Sequence, residues 1–224
     1  MVFTALATHE IYMQRCLQLA GLATGNVAPN PVVGSVLVYN DRVIGEGYHK
    51  QFGQAHAEVD CIASVLEEDK PLINQSVLYV TLEPCAHFGK TPPCANLIIQ
   101  EKIPKVVVGC RDPFLQVNGK GIEKLRAAGV DVTVGILEED CKSLNKRFFV
   151  FHTQHRPFVV LKWAQSGNQK IGGADGKRIF ISNDYTARLV HKWRSEEATI
   201  LVGTNTAFYD NPRLDTRLWP GNNP

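Results

Sequence analysis

No stretch of this chain approaches the ~20 consecutive apolar residues that a membrane-spanning helix requires, so a membrane partner is excluded at the outset. An excess of one charge is lacking too: 24 Lys and Arg stand against 22 Asp and Glu, leaving +2 with neutral His. That balance argues against a broad electrostatic grip on nucleic acid but allows a local patch that meets one phosphate. No secretory leader is evident, and 6 Cys without one fit reduced thiols and a metal in the cytoplasm better than a disulfide framework. Disorder is not indicated, because 44% hydrophobic and 21% charged residues are ample for a buried core. At 224 residues the chain is long for one ordinary domain and short for two full ones, so a second domain is expected to be incomplete.

What is present alternates strands with helices. Thr8 is placed to cap a helix over residues 8–23, with Ile11, Tyr12, Cys16, Leu19 and Ala20 near helical spacing on one face. Pro29 and Pro31 exclude helix and fix Asn30 at the mouth of a strand. Residues 32–39 and 42–47 read as a hairpin across Asn40-Asp41, followed by a polar, glycine-bearing loop that leads to His56. Helices are expected over 57–68, 94–100, 119–128 and 138–149, and strands over 77–82, 105–109 and 130–134. The alternation predicts a three-layer α/β/α domain over residues 1–153. After a polar connector at 153–156, a second α/β unit opens over residues 157–224. It is expected to contain strands at 158–163 and 199–202 and a helix at 184–194, ending in a loop-like stretch at 219–224. Two core strands and about one helix cannot enclose a core of their own, so this domain reads as cut short.

The chemistry concentrates between residues 56 and 94. His56-Ala57-Glu58 precedes Glu83-Pro84-Cys85 and then Cys94. A neutral imidazole and two thiolates supply three protein ligands to Zn²⁺ and leave the fourth position for water, the pattern of a catalytic rather than a closed structural site. Glu58, two residues beyond the His, is free to move protons without ligating. His56, Cys85 and Cys94 are therefore the expected zinc ligands and Glu58 the expected proton shuttle. Zinc deaminases of nucleobases use this combination to activate water against an amine-bearing ring carbon. Taken singly, each Cys is more simply a buried thiol and His56 a surface residue; the order and separation together carry the reading. Two alternatives use the same residues. A nucleic-acid deaminase such as a tRNA editor is disfavoured by the near-neutral charge and by the eight residues between Cys85 and Cys94. A zinc-stabilised, non-catalytic scaffold is disfavoured by the presence of Glu58.

On these residues the chain resembles the bifunctional riboflavin biosynthesis deaminase/reductase family, within the cytidine deaminase-like superfamily. Asn30-Pro31-Val32-Val33-Gly34, His56-Ala57-Glu58-Val59, the Gly89-Lys90-Thr91-Pro92-Pro93-Cys94 run, Arg111-Asp112-Pro113 and Leu144-Asn145-Lys146-Arg147-Phe148 follow its pattern. The resemblance implies hydrolytic deamination of 2,5-diamino-6-(ribosylamino)pyrimidin-4-one 5'-phosphate. Asn30, His49, Lys90, Thr91 and Asp112 would hold this phosphorylated pyrimidine. Lys90 suits the phosphate as a point charge, while Asn30 and Asp112 suit polar ring edges.

Beyond residue 157 the chain is similar to the N-terminal part of the family's dihydrofolate reductase-like α/β reductase domain, which uses NADPH. Carried over by position, Ala164, Phe180, Thr206 and Asp210 would line the dinucleotide site. Arg178, Arg194, Leu214 and Arg217 would lie at the sugar-phosphate site. Asn168-Gln169 stand where the family has Asp-Gly, and no late glycine-rich cofactor loop follows. NADPH-dependent reduction of the ribosyl chain is accordingly expected only of a full-length version. The pattern leaves assembly open, a homo-oligomer included.

Overall fold

The computed structural model describes residues 5–88, 92–115, 117–173 and 179–224. The chain divides into two units, Met1–Phe158 and Val159–Pro224. In the first, helix α1 (Ala5–Gly21) leads into the hairpin of β1 (Gly34–Tyr39) and β2 (Arg42–Tyr48). Asn40 and Asp41 both take positive φ, 45° and 60°, the two-residue turn whose twist matches the flanking strands. There follow α2 (Ala57–Ala63), a 3₁₀ helix (Glu67–Gln75), β3 (Val77–Leu82), α3 (Cys94–Gln100) and β4 (Lys105–Cys110). The unit closes with α4 (Lys120–Ala127), β5 (Asp131–Val134), α5 (Glu138–Leu144) and α6 (Lys146–Gln154).

The five strands form one sheet in the order β2-β1-β3-β4-β5. β1 runs antiparallel to β2 and β3, while β3, β4 and β5 are parallel. Successive side chains alternate between the two faces, as the strand period requires. Val36, Val38, Tyr79 and Val107 pack with Met13 and Cys16 of α1 and Cys141 of α5. Leu37, Leu78, Val80, Val106 and Val108 pack instead with Cys61 of α2, Ile98 of α3 and Leu125 of α4. The result is the expected three-layer α/β/α sandwich. Glycine sets how closely one layer approaches: a Cβ on Gly47 would lie 2.2 Å from the Cys61 nitrogen. Only a residue without a side chain lets α2 sit this low on β2, and His56 is the residue immediately before α2.

The first helix begins at Ala5 and ends at Gly21, so Thr8 lies within it and does not cap it. Three further boundaries differ from expectation for identifiable reasons. The helix read over 57–68 stops at Ala63, where the Ser64 hydroxyl donates to the Cys61 carbonyl at 2.7 Å and accepts the Glu46 N–H at 2.9 Å. The stretch that follows is 3₁₀ and contains Pro71, whose missing N–H forbids an α-helical ladder. The single helix read over 138–149 is two, broken at Asn145. The Asn145 side chain accepts the Val32 N–H and donates to the Val32 carbonyl, both at 2.9 Å. Val32, bound in this way, lies outside β1, which begins at Gly34.

The second unit contains α7 (Asp184–Glu196), with Asn183 accepting the Thr186 N–H at 2.9 Å as its cap, and α8 (Thr204–Asp210). The strands expected at 158–163 and 199–202 are not formed: among the described residues neither run has a ladder partner. Leu161 and Leu201 are 78% and 95% exposed. A strand is stabilised by its cross-strand pairs, and apolar sequence alone does not supply them. Among the described residues no helix is long and apolar enough to cross a membrane.

Candidate metal centre and substrate cavity

His56 is the residue immediately before α2, Cys94 is the first residue of α3, and Cys85 lies three residues beyond the end of β3. The fold brings them together. His56 Nδ1 is 3.5 Å from Cys85 Sγ and 3.3 Å from Cys94 Sγ. Their ligand atoms all lie within 4.8 Å of one another. Tetrahedral zinc with Zn–N near ~2.0 Å and Zn–S near ~2.3 Å implies an N···S edge of roughly 3.6 Å, so the imidazole and thiols already stand close to the separations that the ion needs. The backbone fixes the two cysteines to each other. The Cys94 N–H donates to Cys85 Sγ at 3.3 Å, and the Ala95 N–H donates to the Cys85 carbonyl at 3.1 Å.

The electrostatics fit a cation as well. The Cys85 thiol is held well below its ordinary range by the hydrogen bond from Cys94 and then by His56, while Cys94 is pushed up by its bond to Cys85 and by burial. Two thiolates at this separation repel unless positive charge sits between them, and a divalent ion in that position reverses the Cys94 shift. Glu58 is buried in the first turn of α2. Burial, and after it the Cys85 charge, raises its carboxyl to about 7, in the range where an acid can both give and take a proton near neutral pH.

A cavity of about 460 Å³ opens beside these groups, lined by His56, Glu58 and Cys85 together with Asn30, His49 and Asp112. Its volume suits a small ligand. His49 Nδ1 lies 2.9 Å from the Ala55 carbonyl and so must carry the proton, leaving Nε2 to accept from Asn30 Nδ2 at 3.1 Å. Burial lowers the His49 pKa, which keeps the ring in this neutral form. Asp112 Oδ1 accepts the Phe114 N–H at 2.8 Å. Lys90 and Thr91, named as substrate residues from the sequence, lie outside the described residues. The cavity also contains groups that sequence reasoning did not select: Glu83, His87, Phe114, Phe148 and His152. The His87 ring is 6.2 Å from that of Phe114, and the His152 ring lies 4.9 Å from Phe114 and 4.4 Å from Phe148. Phe148 stood in a motif, but nothing in its spacing pointed at the cavity.

Residues 6–110 match the cytidine and deoxycytidylate deaminase zinc-binding region, and residues 157–224 match the RibD C-terminal domain. The riboflavin biosynthesis protein RibD of Aquifex aeolicus is 43% identical over 93% of this chain and 58% of its own length. The chain is similar to the RibD riboflavin biosynthesis proteins. A Thermotoga maritima structure, a diaminohydroxyphosphoribosylaminopyrimidine deaminase/5-amino-6-(5-phosphoribosylamino)uracil reductase, aligns with a TM-score of 0.92 at 42% identity, covering 99% of this chain and 62% of that one. The Rib2 deaminase of Aspergillus oryzae in complex with DARIPP aligns with a TM-score of 0.51 at 26% identity, covering 66% of this chain and 94% of that one. This chain thus spans somewhat over half the length of the RibD relatives.

The second unit lies within the residues that match the RibD C-terminal domain. Of the residues assigned to it, Ala164, Phe180, Arg194 and Arg217 line one cavity of the unit. Asp210 and Leu214 line another, again with Arg194 and Arg217. Thr206 lies on the exposed helix α8 in neither, and Arg178 lies outside the described residues. Among the described residues the cofactor candidates Ala164 and Phe180 line one of these cavities and Asp210 the other.

Proposed function

We propose that the first unit carries out zinc-dependent hydrolytic deamination of 2,5-diamino-6-(ribosylamino)pyrimidin-4-one 5'-phosphate. The observation that carries this reading is the convergence of His56, Cys85 and Cys94 beside a cavity that His56, Cys85 and the buried carboxyl of Glu58 line together. The RibD relatives and the Rib2 deaminase with its ligand support the substrate class. His56, Cys85 and Cys94 would hold the ion, which when bound lowers the pKa of a water. Glu58 takes a proton from the attacking water and returns it to the leaving amine. One water is consumed, a C–O bond replaces a C–N bond, and ammonia departs. Asn30, with one N–H given to His49, keeps its carbonyl oxygen for a ring amine. Asp112 presents a carboxylate to a ring N–H. Lys90 and Thr91 would meet the phosphate, as the resemblance implies. The six cysteines are free thiols, and we place the protein in a reducing compartment, the cytoplasm.

The test is ammonia release from the diaminopyrimidine ribotide, set beside a tRNA substrate and a protein stripped of metal. Turnover of the ribotide alone, lost on stripping, is expected. Turnover of tRNA, or of neither substrate by zinc-loaded protein, would overturn the reading.

A further inference from the structure

We propose that Glu83, which takes no part in the proton transfers, is a positioning residue that registers the substrate-side loop of residues 112–122 against the metal-ligand segment. The inference rests on the assignment of Asp112 to substrate binding. Glu83 is 4% exposed and follows the last residue of β3. Its Oε2 accepts the N–H of Asp112 at 3.3 Å and of Gly119 at 2.9 Å, and its Oε1 accepts the N–H of Gly121 at 3.0 Å and of Ile122 at 3.3 Å. Backbone donors thus occupy both oxygens. Charge-assisted bonds of this kind are stronger than neutral ones.

Three of the four donors belong to the start of α4, whose first N–H groups have no partner within the helix. Gly119 is the residue before that helix, at φ 90°, and a Cβ on Gly121 would lie 1.9 Å from the Pro84 carbonyl oxygen. Capping alone would account for these three. It does not account for the fourth. The Asp112 amide lies at the other end of the loop, and its residue faces the cavity, as do Phe114 and Val117. One side chain therefore ties down both ends of the loop that forms this wall. Two residues further on, Cys85 stands 3.5 Å from His56 Nδ1. The Glu83-Pro84-Cys85 segment accordingly fixes the metal ligand and the substrate wall in one frame.

The test uses zinc-loaded full-length chain with Glu83→Gln, whose amide nitrogen would face two N–H donors that it cannot accept from. Zinc content, amide exchange and steady-state kinetics on the ribotide are measured for Glu83→Gln, Asp112→Asn and the double variant. Zinc should stay stoichiometric. Exchange at 112, 119, 121 and 122 should speed up by about tenfold or more while the amides of β3 and β4 hold theirs. KM should rise about tenfold with kcat within about threefold, and the double variant should be no worse than the more affected single one, because both act on the same carboxylate. Unchanged KM, loss of zinc, or fully additive effects would overturn the proposal. So would a silent Asp112→Asn beside a damaging Glu83→Gln. If the parent chain releases no ammonia, the functional reading fails separately and the exchange pattern alone decides: loss confined to 112–122 supports the proposal, and uniform or absent loss overturns it. Should Glu83→Gln not fold, Glu83→Asp, which keeps the charge but shortens the reach, is read by the same criteria.

Discussion

Asn145→Ala should destabilise the first unit out of proportion to the few atoms it removes. The Asn145 side chain satisfies both the N–H and the carbonyl of Val32 at 2.9 Å, and both residues are buried. Alanine would leave two backbone groups without partners, at roughly 1 to 3 kcal/mol each, so the expected loss is about 2 to 5 kcal/mol. Asn145→Asp should also be destabilising, since a carboxylate can accept the Val32 N–H but can only repel the Val32 carbonyl. Urea unfolding followed by far-UV circular dichroism and tyrosine absorbance measures the loss. All three tryptophans, Trp163, Trp193 and Trp219, lie in the second unit, so their emission monitors that unit separately. A loss under about 0.5 kcal/mol for Asn145→Ala, or an Asn145→Asp variant as stable as the parent, would refute the reasoning. Because Asn30 and Pro31 line the cavity just before Val32, KM should rise along with the instability.

Other outcomes are expected at the site and around it. Glu58→Gln should keep zinc and fold while turnover falls by roughly 10² to 10⁴; metal analysis beside an ammonia assay checks it, and loss of metal would contradict the assigned role. Cys94→Ser should lower zinc content below one per chain and lower the melting temperature, since the ion links the starts of α2 and α3. Gly47→Ala would push a Cβ into the Cys61 backbone at 2.2 Å and should cost about 1 to 3 kcal/mol in a denaturant titration. Burial lifts the Asp112 carboxyl to about 6. With the folded pKa above the unfolded one, the native state binds more protons between about pH 4 and 6. Stability present below that window is therefore lost as pH rises through it, by about 3 kcal/mol. Asp112→Asn should flatten this slope, and an unchanged slope would reassign it to another group.

What the sequence made legible was whatever is local or carried by distinctive side chains. The Asn40-Asp41 turn, the valine-rich strands alternating with helices, and the grouping of one His with two Cys all depend on residue types whose chemistry is visible without coordinates. The break at Asn145 was not visible, because its partner Val32 is 113 residues away. Glu83 escaped notice for a related reason: its partners are backbone amides 29 to 39 residues later, and a backbone N–H leaves no mark on a sequence. The runs at 158–163 and 199–202 show the opposite failure, since apolar, β-branched sequence promised strands but pairing, which pattern cannot reveal, is absent there among the described residues.

The site also shows why its pieces converge where they do. β3 and β4 are adjacent and parallel, so their carboxyl ends open on the same edge of the sheet, where α/β folds place their ligands. Beyond β3 come Glu83 and Cys85; beyond β4 comes Asp112. That geometry crowds acidic groups, with Glu58 and the Cys94 thiol added from the helices, at one edge of the sheet. The crowding is offset unequally. Glu83 has four backbone donors, Asp112 has the Phe114 amide, and burial raises the carboxyls of Glu58 and Asp112. A divalent ion between the thiolates would relieve the repulsion among Cys85, Cys94 and Glu58, while a substrate offering N–H donors would relieve Asp112. The two carboxyls that burial raises, Glu58 and Asp112, are thus the two that the proposed reaction requires to meet a proton or a ring.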